Sequence, residues 1–338
     1  MLTHKTLVPP DDVSGMSAED VDEFRAEHDV LKALRRGGHD VHIVGIGDHL
    51  TDLREAIDEW RPHVVFNLLD EFSGIISYDH YIVGYLELLR QRYTGCNPRG
   101  MMLSRDKVLT KRVLATHGVA TPRFTLFPFG LRFRAPARIE FPLFVKSATE
   151  DASLGIAQAS VVEDMRSLRE RVEFIHDEVQ SDALAEEYVD GRELYVGVLG
   201  NAKLVALPPW EMDFGALPAD QARIATHRAK WNREYQAKHG IKTGKARELG
   251  REQRALLSAL AKRTYRALYM SGFARMDFRL CADGRILLLE ANCNPNLSKG
   301  EDFAASAKSS GIGYTALVGR IVQLGLAYMP EWRMFGEP

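Results

Sequence analysis

The stretch FARMDFRLCADGRILLLEANCNPN, Phe273–Asn296, decides the reading of this chain. Ala274–Cys281 and Arg285–Ala291 are apolar-rich runs on either side of Asp283-Gly284, a dipeptide suited to a tight two-residue turn. A β-hairpin is expected. Closing the turn there sets Asp277 directly opposite Glu290. Side chains alternate along a strand, so Asn292 joins the face of Glu290 and Arg275 the face of Asp277. Two facing carboxylates, with Cβ atoms about 5 Å apart, repel each other. A hard divalent cation between them removes the conflict, and an all-oxygen set of this kind suits Mg²⁺ that is also held by phosphates. Two other resolutions stay open: one carboxyl is protonated, or the register slips.

The hairpin resembles the metal-binding signature of the ATP-grasp enzymes, and among them the D-alanine–D-alanine ligases. Leu288-Leu289-Glu290-Ala291-Asn292, closely followed by Pro295, carries the resemblance. It implies that Asp277, Glu290 and Asn292 hold Mg²⁺, or Mn²⁺ in its place, against the phosphates of ATP. It also implies that Arg275 faces the charge developing at the reacting carbonyl. The likeness runs loosely from Phe66 to Leu326; before that only the general pattern agrees.

Further elements match the same family. Lys146 ends the apolar run Leu143–Val145 and leads into a Ser- and Gly-containing turn with Ser153, which resembles the phosphate-gripping loop. Backbone N–H groups of such a loop can cradle phosphate oxygens, and the lysine adds a point charge. Lys107 resembles the lysine of the family's Asp-Lys pair, a second phosphate contact. Glu186-Glu187-Tyr188-Val189 resembles the adenine-binding hinge, with Glu186 as acceptor for the exocyclic amine. Glu193 resembles the ribose-binding glutamate. Lys230, in Ala229-Lys230-Trp231, resembles a lysine of the mobile loop that reaches the γ-phosphate. The family has lysine where Glu187 stands here.

The substrate half departs from the family. Asp70-Glu71-Phe72-Ser73-Gly74 stands in place of the glycine-rich histidine loop, with Asp70 at the histidine. Glu301, with Lys299 just before it, stands where a serine binds the second alanine's carboxylate. The early glutamate that holds the first alanine's ammonium has only Glu19 as a candidate. Asp70, Glu71 and Glu301 could form an acidic pocket for a cationic substrate. Alternatively, Glu301 pairs with Lys299, or Asp70 caps the next helix.

The rest of the chain sets bounds. Its 338 residues fit two or three packed domains, and 45% apolar and 27% charged content is ordinary for a globular protein. A net charge of −2 points to neither nucleic acid nor an anionic membrane as partner. The three cysteines, Cys96, Cys281 and Cys293, lack zinc-ligand spacing and read as reduced packing residues. No apolar run reaches transmembrane length, and the first residues lack a signal-peptide core, so a cytoplasmic protein is expected.

The expected fold class is α/β (α+β), an ATP-grasp fold. Residues 1–97 alternate strand and helix and read as a Rossmann-like domain. The helices are Asp20–Arg36, Leu50–Trp60 and Tyr81–Arg92; the strands are Asp40–Gly45 and His63–Leu69. Gly45-Ile46-Gly47 has no third glycine in register and is not read as a dinucleotide site. Residues 98–190 are a small central α+β domain. It holds a helix Ser104–His117 capped by Ser104, strands Pro142–Lys146 and Leu184–Val189, and a helix Glu163–Ile175. Residues 191–338 form the C-terminal α+β domain with strand Glu193–Gly200, helix Glu252–Met270, the hairpin and helix Thr315–Leu326. The polar, helix-poor stretch Glu211–Arg247 reads either as a lid over the site or as a surface insertion.

The reading is an ATP-dependent carboxylate–amine ligase that forms an acyl phosphate and acts on small amino acids or peptides. The alternatives are a ligase for a larger peptide or a carboxylase, a true D-alanine–D-alanine ligase, and an ATP-binding regulator without turnover. The family resemblance implies a homodimer.

Overall fold

The computed structural model describes residues 1–136, 140–149, 156–218 and 221–334. Strand β1 (Leu2–His4) pairs in parallel with β2 (Val44–Ile46). Between them run α1 (Ala18–Glu23) and α2 (Arg25–Arg36); α3 (Thr51–Trp60) and α4 (Asp79–Leu88) follow. Parallel bridges Leu2↔Asn67 and Val65↔Tyr93 extend the layer. The single helix expected over Asp20–Arg36 breaks at Phe24, which leaves helical geometry with its ring buried. Of His63–Leu69 only bridges form, and the strand expected over Asp40–Gly45 shrinks to β2.

Two helices, α5 (Pro98–Arg105) and α6 (Lys107–Thr116), replace the one expected over Ser104–His117. Asn97 caps α5 and Asp106 caps α6, where its carboxylate accepts the Leu109 N–H at 2.8 Å. A carboxylate is a strong N-cap acceptor, so the chain turns at Asp106. Ser104 lies instead in the last turn of α5.

The central sheet runs in the order β3 (Phe124–Phe127), β6 (Ala183–Glu187), β4 (Leu143–Ser147), β5 (Val161–Val162), all antiparallel. Leu143, Val145, Ala183 and Ala185 point to one face and pack on Leu168 and Val172 of α7 (Met165–Phe174). Registers Phe124↔Glu186, Phe144↔Glu186 and Lys146↔Leu184 put the alternate residues on the other face. There Val108 of α6 packs on Leu184.

The C-terminal sheet has the order β10 (Lys242–Lys245), β9 (Trp210–Asp213), β7 (Arg192–Leu199), β11 (Phe273–Leu280), β12 (Ile286–Cys293), with β8 (Val205–Ala206) beside β7. The stretch expected to be helix-poor is folded. It carries α8 (His227–Trp231) and α9 (Arg233–His239) and adds β9 and β10 to the sheet. Met212, Phe214, Ala229 and Ile241 hold it against Tyr195. Helix α10 (Arg251–Ala267) buries Leu257, Ala261 and Tyr265 in one cluster with Val196, Met276 and Phe278 of the sheet. The chain closes with α11 (Asp302–Ser309), α12 (Tyr314–Ala327) and α13 (Glu331–Met334).

A single apolar cluster joins Leu2, Ile46 and Leu86 to Met101, Leu114 and the C-terminal sheet. A second joins Val30 and Leu34 of α2 to Phe303, Leu317 and Ile321. The N- and C-terminal parts therefore share their core, and α5 and α6 belong to it. The central sheet has a core of its own, and the space left between the two sheets is the site. Among the described residues no helix is long and apolar enough to cross a membrane.

Candidate active site

The hairpin turns differently from the expectation. The loop closes on Ala282, Asp283 and Gly284: Cys281 N–H donates to Arg285 O at 2.9 Å and Gly284 N–H to Cys281 O at 3.0 Å. Gly284 has φ of 85°, a conformation glycine takes without steric cost. The strands leave this turn one residue out of the expected register, with Phe278↔Leu288. A β-bulge between Asp277 and Phe278 takes up Leu289 as an extra residue. Beyond it the pairs are Asp277↔Glu290 and Arg275↔Asn292. A bulge re-aims the side chains that follow it. Here it moves Glu290 onto the face of Asp277, where a continuous ladder would have turned it into the apolar core.

That face is polar across three strands. Opposite Asp277 on β7 stands Tyr195, and opposite Arg279 stands Glu193. Arg275 donates from Nε and Nη2 to the two oxygens of Asp277, at 2.8 and 2.9 Å. Its guanidinium lies 4.7 Å from the centre of the Tyr195 ring. Asn292 Nδ2 donates to Asp277 Oδ2 at 3.0 Å. Burial raises the Asp277 carboxyl above its usual range, against the pull of Arg275. Glu290 goes the other way. Burial opposes its charge, but Lys107, Lys146 and Lys230 together lower it to about 2. Lys107 Nζ is 3.0 Å from Glu290 Oε1. The facing carboxylates thus each carry a cation of the protein. Asp277 and Glu290 still line one cavity, and their carboxylate oxygens are donors of the kind a hard divalent ion takes; Asn292 turns its amide nitrogen to Asp277.

The cavity lies between the two sheets. Lys107, Lys146 and Lys230 project into it from α6, β4 and α8. On the hinge side Glu186 is 2% exposed and holds two lysines: Lys111 Nζ at 2.9 Å on Oε1 and Lys146 Nζ at 3.2 Å on Oε2. Its carboxylate therefore faces lysines, where the sequence reading had it facing adenine. Glu187 pairs with Arg123 at 3.1 Å. The N–H groups of Glu187 and Tyr188 donate to Arg123 O and Pro142 O, at 2.8 and 3.1 Å. The Tyr188 and Val189 side of the hinge lines the cavity. Glu193 also lines it. Arg279 Nη2 lies 3.0 Å from Glu193 Oε2, and the Tyr195 hydroxyl donates to Glu193 Oε1 at 2.8 Å. Ser153 lies outside the described residues.

At the substrate end the sequence-derived residues scatter. Asp70 is exposed; Glu71 lies 3.7 Å from His4 Nε2. Glu301 precedes α11 without capping it through its side chain, and its charged neighbours are Asp302, Arg275, Arg25 and Arg233. Lys299 is exposed and donates its backbone N–H to Asp29 Oδ2 at 2.8 Å. Among the described residues no ion pair joins Lys299 to Glu301. The arginines around Glu301 offset its charge, which weakens the case for a cationic substrate.

Sequence reasoning missed Lys111, Tyr195 and Arg279. Lys111 had a readable signal: it lies one helical turn beyond Lys107 and so on the same side of α6. Arg279 shares strand parity with Arg275 and Asp277.

Residues 118–323 match the family model described as D-ala D-ala ligase C-terminus. An uncharacterized protein of Sinorhizobium fredii is 31% identical over 89% of this chain and 87% of its own length. The D-alanine–D-alanine ligase of Bordetella petrii is 33% identical over 88% of each chain. In structure, the Bacillus anthracis D-alanine–D-alanine ligase complexed with ATP superposes with a TM-score of 0.72 at 20% identity, over 96% of both chains.

Proposed function

This chain belongs to the D-alanine–D-alanine ligase family of ATP-grasp enzymes, and we propose that it joins a carboxylate to an amine other than the two D-alanines. The observation that carries the catalytic part is the polar face of the C-terminal sheet. It brings Asp277 and Glu290 into one cavity with Lys107, Lys146 and Lys230. Three ammonium groups beside two carboxylates suit a polyphosphate that arrives with a divalent cation.

The reaction would pass the γ-phosphoryl group of ATP to the substrate carboxylate. The amine would then attack the acyl phosphate and release phosphate. Catalysis of this kind rests on positioning and on neutralising charge. Mg²⁺ or Mn²⁺ held by Asp277, Glu290 and Asn292 would supply charge neutralisation at the phosphates. Lys107, Lys146 and Lys230 add positive charge from three separate elements, so the nucleotide is gripped on several sides. Arg275, held by its two bonds to Asp277, would favour the oxyanion of the acyl carbon. Ile224, Ala225 and Lys230, in and before α8, line the cavity, and this side would limit the access of water to the acyl phosphate.

The departure at Glu301 supports a different substrate pair. Arginines offset the charge of Glu301, but an ionised carboxylate only accepts hydrogen bonds and cannot stand in for a serine hydroxyl that donates to the carboxylate of a second alanine. Release of ADP, measured with a panel of amino acids and dipeptides in the presence of Mg²⁺, tests this. Turnover with a substrate other than D-alanine is expected. No ATP turnover with any substrate would favour a regulator. The small substrates fit a cytoplasmic enzyme, and sedimentation would test the homodimer.

A further inference from the structure

Helix α6 carries two buried lysines one turn apart, and each reaches a carboxylate of a different sheet. Lys107 pairs with Glu290 of the C-terminal sheet, at 3.0 Å. Lys111 pairs with Glu186 of the central sheet, at 2.9 Å. The Lys111 and Glu186 side chains are 2% and 3% exposed, and Lys146, on the other oxygen of Glu186, is 8% exposed. One carboxylate thus sits between two ammonium groups. Lys146 and Glu186 line the nucleotide cavity, and Lys111 stands behind them, its Nζ 5.8 Å from the centre of the Phe124 ring.

A structural ion pair needs one lysine. The second is costly, because burial works against the charge on Lys111. Its position suggests what the cost supports. If Glu186 met Lys146 alone, the two would form a closed, neutral pair, and Lys146 would offer little net charge to a phosphate. With Lys111 on the opposite oxygen, the group keeps one positive charge in excess, and the member that faces the cavity is Lys146.

We propose that Lys111 is a positioning residue for the nucleotide: it engages Glu186 so that Lys146 remains available to the phosphates of ATP. Through the same contact, α6 couples the central sheet to the sheet that carries Glu290. This rests on the reading of the cavity as an ATP site.

The test is equilibrium binding of ATP with Mg²⁺, together with kcat and KM for ATP, in Lys111→Met and in the charge-balanced double variant Lys111→Met/Glu186→Gln. Lys146→Met serves as reference. Wild-type protein that fails to bind ATP would sink the ATP reading itself. With wild-type binding in hand, Lys111→Met should weaken ATP about tenfold or more through KM, with a smaller change in kcat. The double variant should recover most of that loss, because Lys146 is again free of a competing carboxylate. A lowered melting temperature with ATP affinity unchanged would overturn the proposal and leave Lys111 a structural residue. A double variant no better than the single would also overturn it. Should Lys111→Met fail to fold, the double variant is read against Glu186→Gln alone: equal ATP affinity in the two is expected, because Lys111 acts through the Glu186 carboxylate, and a further loss of tenfold or more contradicts the proposal.

Discussion

Arg279 offers a quantitative test of how the site is held. It is 4% exposed. Nη2 lies 3.0 Å from Glu193, and Nη1 donates to Gly191 O and Arg223 O, each at 3.1 Å. Replacement by Met keeps the length and apolar stem and removes every one of these contacts. Glu193, 5% exposed, would keep only the Tyr195 hydroxyl at 2.8 Å. Removing one partner of a buried pair costs about 3–5 kcal/mol. The surviving hydroxyl bond offsets about 1 kcal/mol, and the two abandoned carbonyls cost about 1 kcal/mol each. The net loss should be about 5 kcal/mol. Urea unfolding at pH 7 without nucleotide measures it. Arg223 also anchors the chain leading to Lys230, so KM for ATP should rise in the same variant. A stability loss below about 1 kcal/mol with KM unchanged would refute the reasoning.

Three other outcomes are expected. Lys146→Ala should raise KM for ATP at least tenfold with the protein still folded, and full activity at limiting ATP would remove its role. Glu27 is buried and raised by that burial, with the Thr3 hydroxyl 3.2 Å away. Because its folded-state pKa lies above the unfolded one, its contribution is full below pH 4.5 and is lost as pH rises through the folded value. Glu27→Gln, which still accepts from Thr3, should therefore stabilise the protein at pH 8, and the gain should vanish near pH 4; a pH-independent difference would count against the burial argument. With D-alanine as the only amino acid, phosphate release should stay well below ~1 s⁻¹, the low end of ordinary turnover; faster release would show that Glu301 has been over-read.

The pairing of Asp277 with Glu290 was legible in the sequence, but through two departures that cancel. The turn at Gly284 is one residue longer than Asp283-Gly284 alone suggests, and the bulge at Leu289 restores the register. Alternation along strands located the polar face, because that pattern depends only on local geometry. Tertiary choices stayed hidden. Phe24 breaks a helix by entering the core, and Asp106 displaces Ser104 as cap. The polar segment after Glu211 folds because Tyr195 and a few spaced apolar residues, Met212, Phe214 and Ile241, meet in three dimensions. The environment of Glu186 was also hidden. Two lysines distant in sequence converge on it, Lys146 across the β4–β6 register and Lys111 through the packing of α6 on the central sheet.

A crystal structure with a non-hydrolysable ATP analogue and Mn²⁺, read from the anomalous signal of the metal, tests the central claim most directly. The account predicts a metal peak within about 2.3 Å of oxygens of Asp277 and Glu290, with the phosphates against Lys107, Lys146 and Lys230. A nucleotide bound elsewhere, or a metal that touches neither carboxylate, would contradict it.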